Sequence, residues 1–292
     1  MTASVELRSG KSHRDENFPV ASWLIAARHR PAILAFYEFV RVADDIADHP
    51  SLRAGDKLVR LERLEQSLLG GNEEEPDGVA LRDILTRRKL SFQHARDLLR
   101  AFRQDVTQHR YRGWSDLVDY CAYSAMPVGR FVLDVHGEAR STWPASDALC
   151  AALQIINHLQ DCADDYRALG RVYLPLDDLA SHGLGVEALA GARASPALRA
   201  CIGELAQRTE RLLAQSRPLP RLVTDTRLAL EISVIQALAA RQLARLKERD
   251  PLGERVRLSK AEMAAFTVGT VGHALWRRLF RVTDSRHRYQ TP

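Results

Sequence analysis

The sequence is poor in the residues that make loops. It has 16 Gly and 12 Pro in 292 positions, too few for a disordered or loop-rich chain. It also lacks the apolar/polar alternation and Asn-Gly turns of β-hairpins, which excludes a mainly β architecture. No run approaches the roughly 18 uncharged apolar residues that a membrane span needs. Any membrane contact is therefore expected to be peripheral. Met1 to Glu16 is polar and has no apolar core of the kind a secretion signal carries. The four cysteines, Cys121, Cys150, Cys162 and Cys201, show no CxxC or Cys/His metal spacing. Each sits in an apolar helical context, which predicts buried free thiols in a reducing cytoplasm. An excess of one charge is missing too, since 42 Lys and Arg are interleaved with 37 Asp and Glu for a net +5. A basic stripe for nucleic acid is absent. The mild surplus suits a polyanionic small molecule or an anionic membrane surface.

What is present is helical periodicity over most of the length, and 46% hydrophobic residues to bury a large core. Helices are predicted at about 18–29, 32–49, 54–69, 91–111, 114–137, 144–169, 195–216, 219–248 and 259–281. Pro31, Pro50, Pro144, Pro196, Pro218 and the Gly70 to Gly78 stretch fall where helices should break. Pro127 lies inside a helical run and predicts a kink there. The expected architecture is all-α, one helical bundle over residues 16–283, with flexible ends at 1–15 and 284–292.

Two helices carry acidic stripes. At about 100° per residue, Tyr37, Arg41, Asp44 and Asp48 fall within about 60° of one another, with Phe36, Phe39, Val40, Ala43, Ile46 and Ala47 opposite. Gln154, Asn157, Asp161 and Asp165 form a second stripe about 80° wide, with Asp164 beside it. A single Asp-x-x-x-Asp usually marks a solvated helix face. Solvated faces favour Glu and Lys, however, because Asp inside a helix costs roughly half a kcal/mol or more against Ala. Asp44, Asp45 and Asp48 also crowd like charges at neighbouring and i,i+4 positions, which is unfavourable without a cation.

Diphosphate handling is the chemistry that needs such a pattern. Mg²⁺ takes oxygen ligands and is held by a few carboxylates together with phosphate oxygens. Two facing acidic helices would bracket a diphosphate through several Mg²⁺ ions, so that the C–O bond ionises to an allylic or cyclopropylcarbinyl cation. Arg41 would hold a phosphate oxygen, Asn157 would add a neutral oxygen ligand, and Gln154 would orient a ligand or water. The cation needs a dry apolar cavity, which the inner faces of a bundle supply.

These residues resemble the squalene/phytoene synthase family of head-to-head isoprenoid synthases, over about Glu16 to Phe280. The first motif is Tyr37-x-x-x-Arg41-x-x-Asp44-Asp45-x-x-Asp48. The central one runs Asp105…Arg110-Tyr111…Asp116-Leu117…Tyr120-Cys121-x-Tyr123-x-Ala125-x-x-Val128-Gly129. The second acidic motif is Gln154-x-x-Asn157-x-x-x-Asp161-x-x-x-Asp165, followed by Gly170-Arg171-x-Tyr173-Leu174-Pro175. The resemblance implies Mg²⁺–diphosphate ligands at Asp44, Asp48, Asn157, Asp161 and Asp165. It implies diphosphate contacts from Arg41 and Tyr37, with Arg171 and Tyr173 closing over the group, and it sets Tyr123 and Tyr120 near the carbocation.

Glu16-Asn17-Phe18-Pro19-Val20-Ala21-Ser22, Ala43-Asp44-Asp45-Ile46-Ala47-Asp48 and Tyr123-Ser124-Ala125-Met126-Pro127-Val128-Gly129-Arg130 look most like the hydroxysqualene-forming subgroup of bacterial hopanoid pathways. That likeness implies expulsion of diphosphate from presqualene diphosphate and quenching by water, without NADPH. Two departures stand out. Met126 replaces an expected Asn and should reshape the cavity near the kink. Gln160 replaces a basic residue and should remove one phosphate contact. The alternatives are a transferase condensing two prenyl diphosphates head to head and, in another class, a non-catalytic scaffold on the same fold.

The basic amphipathic run Leu275 to Arg281 reads as a last core helix, with a peripheral membrane foothold as the rival reading. Cytoplasmic location, peripheral contact with the inner membrane surface, partner enzymes of the same pathway and no nucleic-acid partner complete the expectations. His158 is expected not to bind metal, since no second histidine lies at ligand spacing. Asp177-Asp178 should cap a short helix. Trp114, Trp143 and Trp276 read as packing residues.

Overall fold

The computed structural model describes residues 25–259 and 262–263. It is all-α, and among the described residues the only β feature is an isolated parallel bridge between Arg110 and Val172. None of these helices is long and apolar enough to cross a membrane. Most of the expected helices 18–29 and 259–281, the flexible ends 1–15 and 284–292, the run Leu275 to Arg281 and Trp276 lie outside the described residues. Within reach, residues 25–29 are a bend and turn rather than a helix end.

The first half builds one core. Helix α1 (Arg30–Asp48) starts with Pro31 in its first turn and buries Ala32, Ile33, Phe36, Phe39, Ala43, Ile46 and Ala47. Helix α2 (Ala54–Leu69) stops at Gly70, whose φ of 84° is left-handed and suits glycine. Helix α3 (Pro76–Arg88) occupies a stretch in which no helix is predicted. Its Gly78 lies so close to α2 that a Cβ would meet the Ser67 Cβ at 2.8 Å. Helix α4 (Gln93–Thr107) packs against α1 and α2 and ends earlier than predicted.

The long helices of the second half are broken where single helices are predicted. Helices α5 (Trp114–Ser124) and α6 (Met126–His136) are separated at Ala125, which leaves helical geometry two residues before Pro127. The expected kink is thus a full break. Helix α7 (Trp143–Gln160) gives way to α8 (Cys162–Leu169) at Asp161, with φ −103° and ψ 6°. Helix α9 (Leu176–Ser181) is capped at Pro175. Asp177 and Asp178 lie in its first turn, and neither is the cap. Asp178 instead pairs with Arg208 at 2.8 Å. Helix α10 (Pro196–Ser216) is capped by the Ser195 hydroxyl, which accepts from the Leu198 amide. The predicted helix 219–248 divides into α11 (Leu219–Leu222) and α12 (Thr226–Glu248). The Asp225 carboxylate accepts the Arg227 and Leu228 amides and starts α12.

Helix α7 runs through the middle of the second core, against α6, α10 and α12. Cys121, Cys162 and Cys201 are buried free thiols, while Cys150 is half-buried. Trp114 and Trp143 pack against this core. Between the two cores the inner faces of α1, α4, α6, α7 and α12 enclose a cavity of about 670 Å³.

Candidate active site

The cavity has an acidic end and an apolar one. At the acidic end α1 contributes Tyr37, Arg41, Asp44 and Asp48, and α7 contributes Gln154, Asn157 and His158. Asp161 sits at the α7/α8 break and Asp165 one turn further on, so the break lies inside the acidic motif itself. Arg171 and Tyr173 enter from the turn after α8, Asp105 from α4 and Tyr120 from α5. The remainder is mostly apolar, with Ile33, Phe36 and Val40 facing Leu133, Leu149 and Ile232. Phe36 stacks on Phe131 with ring centroids 3.9 Å apart.

Both acidic stripes therefore face one space, and cations bridge them. Arg171 Nη1 meets Asp48 Oδ1 at 2.6 Å, joining the second motif's turn to α1. Arg257 pairs with Asp161. Arg41 is held by its own helix, at 2.9 Å from Asp44 Oδ2 and 2.9 Å from Asp45 Oδ1. Asp45 is buried and lies outside the cavity lining, which makes it a brace for Arg41.

The carboxylates are short of positive charge. Burial and then repulsion from Asp48 push Asp44 up to about 7 despite Arg41. Burial and Asp161 do the same to Asp165, also to about 7. Asp44 keeps 37% side-chain accessibility, but it opens onto the cavity, where a charge is less well solvated than in bulk water. Asp105 is pushed up to about 7 by burial, although Arg171 and the Tyr120 hydroxyl oppose the rise. Tyr120 donates to Asp105 Oδ2 at 2.9 Å and Tyr173 to Oδ1 at 3.5 Å. His158 stacks on Tyr173, with centroids 3.6 Å apart. Burial and Arg171 lower its pKa to about 3, so the imidazole is neutral.

Three residues singled out in the sequence lie outside the cavity lining. Tyr123 is not among the cavity-lining residues. It lies three residues beyond Tyr120 in the last turn of α5, where the Arg100 guanidinium covers its ring at 3.9 Å. It is half-buried and packs against the second core. Met126 packs against the second core, outside the lining. Gln160 points away from the cavity as well, and its Nε2 donates to Gln242 Oε1 at 2.6 Å. Neither departure from the family pattern therefore alters the cavity wall directly.

Several cavity residues carried no assigned role in the sequence. Asp105 and Glu231 stand in otherwise apolar stripes, between Ala101 and Val106 on α4 and beside Leu228 and Ile232 on α12. A lone acid within an apolar stripe is a visible signal, because unpaired burial is costly. Arg257 has no such signal, since only folding brings it to Asp161.

A family profile described as squalene/phytoene synthase matches residues 11–262. The chain is 56% identical over 280 residues to a hydroxysqualene synthase of Rhodopseudomonas palustris, covering 96% of each. It is 48% identical over 276 residues to the hydroxysqualene synthase of Zymomonas mobilis subsp. mobilis, covering 94% of this chain and 92% of that one. Among solved structures it is similar to a squalene synthase of Alicyclobacillus acidocaldarius at 33% identity and a TM-score of 0.71, over 81% of this chain and 90% of that chain. A dehydrosqualene synthase at 24% identity shares the fold, with a TM-score of 0.78 over 90% of this chain and 93% of that chain.

Proposed function

The chain belongs to the squalene/phytoene synthase family, and from that premise we propose that it catalyses the hydroxysqualene synthase reaction. Diphosphate leaves presqualene diphosphate, the cyclopropylcarbinyl cation rearranges, and water closes the reaction to give hydroxysqualene. One observation carries the reading: two pairs of aspartates from separate helices border one cavity whose remainder is mostly apolar. The 48% and 56% identities to proteins of that activity select this reaction within the family.

The acidic end fits Mg²⁺. Its donors are carboxylate and amide oxygens, and desolvation and mutual repulsion at Asp44 and Asp165 leave it in need of positive charge. Asp44 and Asp48 would hold the ions from one side, and Asn157, Asp161 and Asp165 from the other. Bound there, Mg²⁺ supplies neutralisation of the charge that develops on the leaving diphosphate. Arg41 and Tyr37 line the same end and serve as direct diphosphate contacts. Arg171 and Tyr173 cover it from the turn after α8. Asp105 fixes the Tyr120 and Tyr173 hydroxyls, so both rings present stable faces to the cavity. The apolar walls keep bulk water from the cation.

Product analysis tests this. With presqualene diphosphate and Mg²⁺ the chain should yield hydroxysqualene at the same rate with or without NADPH. Farnesyl diphosphate alone should release no diphosphate. Release from farnesyl diphosphate would assign the chain to the condensing transferases of the same family.

A further inference from the structure

A hydrated product makes a demand that the residues assigned to metal and diphosphate do not meet. One water must stand beside one carbon of a cation in a mostly apolar space, and it must add before a neighbouring proton is lost. A single water in such a place needs a fixed polar partner. The Tyr120 and Tyr173 hydroxyls are directed to Asp105. Glu231 reaches the cavity but is already engaged.

His158 differs from all of these. It lines the cavity from α7, is 6% exposed, and its Nε2 is buried with no hydrogen-bond partner among the described residues. The ring cannot turn freely to find one, because Tyr173 lies flat against it at 3.6 Å and 14°. A phenyl ring would stack on Tyr173 equally well without orphaning a nitrogen, so packing alone does not account for the imidazole. An imidazole nitrogen that carries no proton has a lone pair that accepts a hydrogen bond.

Two further lining side chains, Arg41 and Glu231, are engaged elsewhere, and the Ser124 hydroxyl is likewise buried without a hydrogen-bond partner among the described residues. It sits in the last turn of α5, where rotation about χ1 lets it bond the carbonyl one turn back. Its lack of a partner is therefore easily relieved, and that of His158 is not. The cluster of His29, His136 and Asp225 at the far end of the bundle carries less. Its imidazoles are stacked 4.2 Å apart, and Arg28 already donates to His29 Nε2 at 2.9 Å.

We propose that His158 is the positioning residue for the quench, its Nε2 accepting a hydrogen bond from the water that adds to the carbocation. The water oxygen gives a lone pair to the cationic carbon and a C–O bond forms. The resulting oxonium loses one proton, which the diphosphate released in the same turnover takes up, and nothing is oxidised or reduced. The inference rests on the hydroxysqualene reading and assigns the origin of its hydroxyl.

The test uses the full-length chain with presqualene diphosphate and Mg²⁺, reading products by gas chromatography–mass spectrometry and diphosphate in the same reactions. For H158F, which keeps the stack but has no acceptor, the alcohol share of products should fall at least about tenfold, with hydrocarbons from proton loss taking its place. Diphosphate release should fall less than about fivefold. H158Q, which restores an acceptor, should recover most of the alcohol. A wild-type alcohol share from H158F overturns the assignment, as does an equal loss in S124A. So does a folded H158F that releases no diphosphate, since His158 would then serve ionisation. Where H158F does not fold, H158L against H158Q gives the same comparison. Wild-type protein that makes no hydroxysqualene from presqualene diphosphate overturns the underlying reading instead.

Discussion

Asp44 and Asp161 set the charge balance of the acidic end, and each pairs with a guanidinium, Asp44 with Arg41 and Asp161 with Arg257. Replacing either with Asn should lower diphosphate release by at least about a hundredfold while far-UV circular dichroism stays unchanged. For D44N the melting temperature should hold or rise, because burial and Asp48 already disfavour the charge that Asn removes. Turnover near the wild-type rate would take the residue out of the metal site. The aspartates were legible because they repeat at helical spacing in stripes shared with Tyr, Arg, Asn and Gln. Tyr123 was not, because two tyrosines 60° apart on a helix look alike until a neighbour such as Arg100 takes one of them.

At the scale of the element, the starts and breaks of helices depend on single side chains. Asp225 caps α12 through two backbone amides, and D225A should cost about 1 kcal/mol in urea unfolding at pH 7. Burial alone would raise its pKa, but the Leu228 and Arg227 amides hold it below the ordinary value of 3.8. The unfolded chain therefore binds this proton first as pH falls. The cap's contribution is full above pH ~4 and is lost as pH drops through the folded value. The difference between wild type and D225A should accordingly shrink at pH 3, and a gap independent of pH would mean that the charge is not what caps the helix. Most helices were legible from their apolar spacing. Helix α3 was not, since its Gly78 and its run of charges weaken the pattern, and its stability comes from close contact with α2. The breaks at Ala125 and Asp161 were also hidden, because neither residue type announces a change of backbone angle.

For the whole molecule, the two cores meet around a cavity that divalent ions and diphosphate should draw together. Excess EDTA should abolish diphosphate release, and added Mg²⁺ should restore it. Inorganic diphosphate with Mg²⁺ should raise the melting temperature, and either alone should raise it less, because the bound cluster needs both charges to balance. Activity that survives the chelator would contradict the metal assignment.

The chain itself determined the class of fold and the chemistry, since helical periodicity and the spacing of the two acidic stripes are local properties carried by neighbouring residues. It also carried the family likeness, written in short motifs of fixed order. Only tertiary structure decided which polar groups share the cavity. Asp105 meets Tyr120 and Tyr173 from a different helix, Arg257 reaches Asp161 across 96 positions, and Tyr173 pins the His158 ring. Such contacts depend on how helices distant in sequence cross one another, and the spacing within a single helix does not encode them.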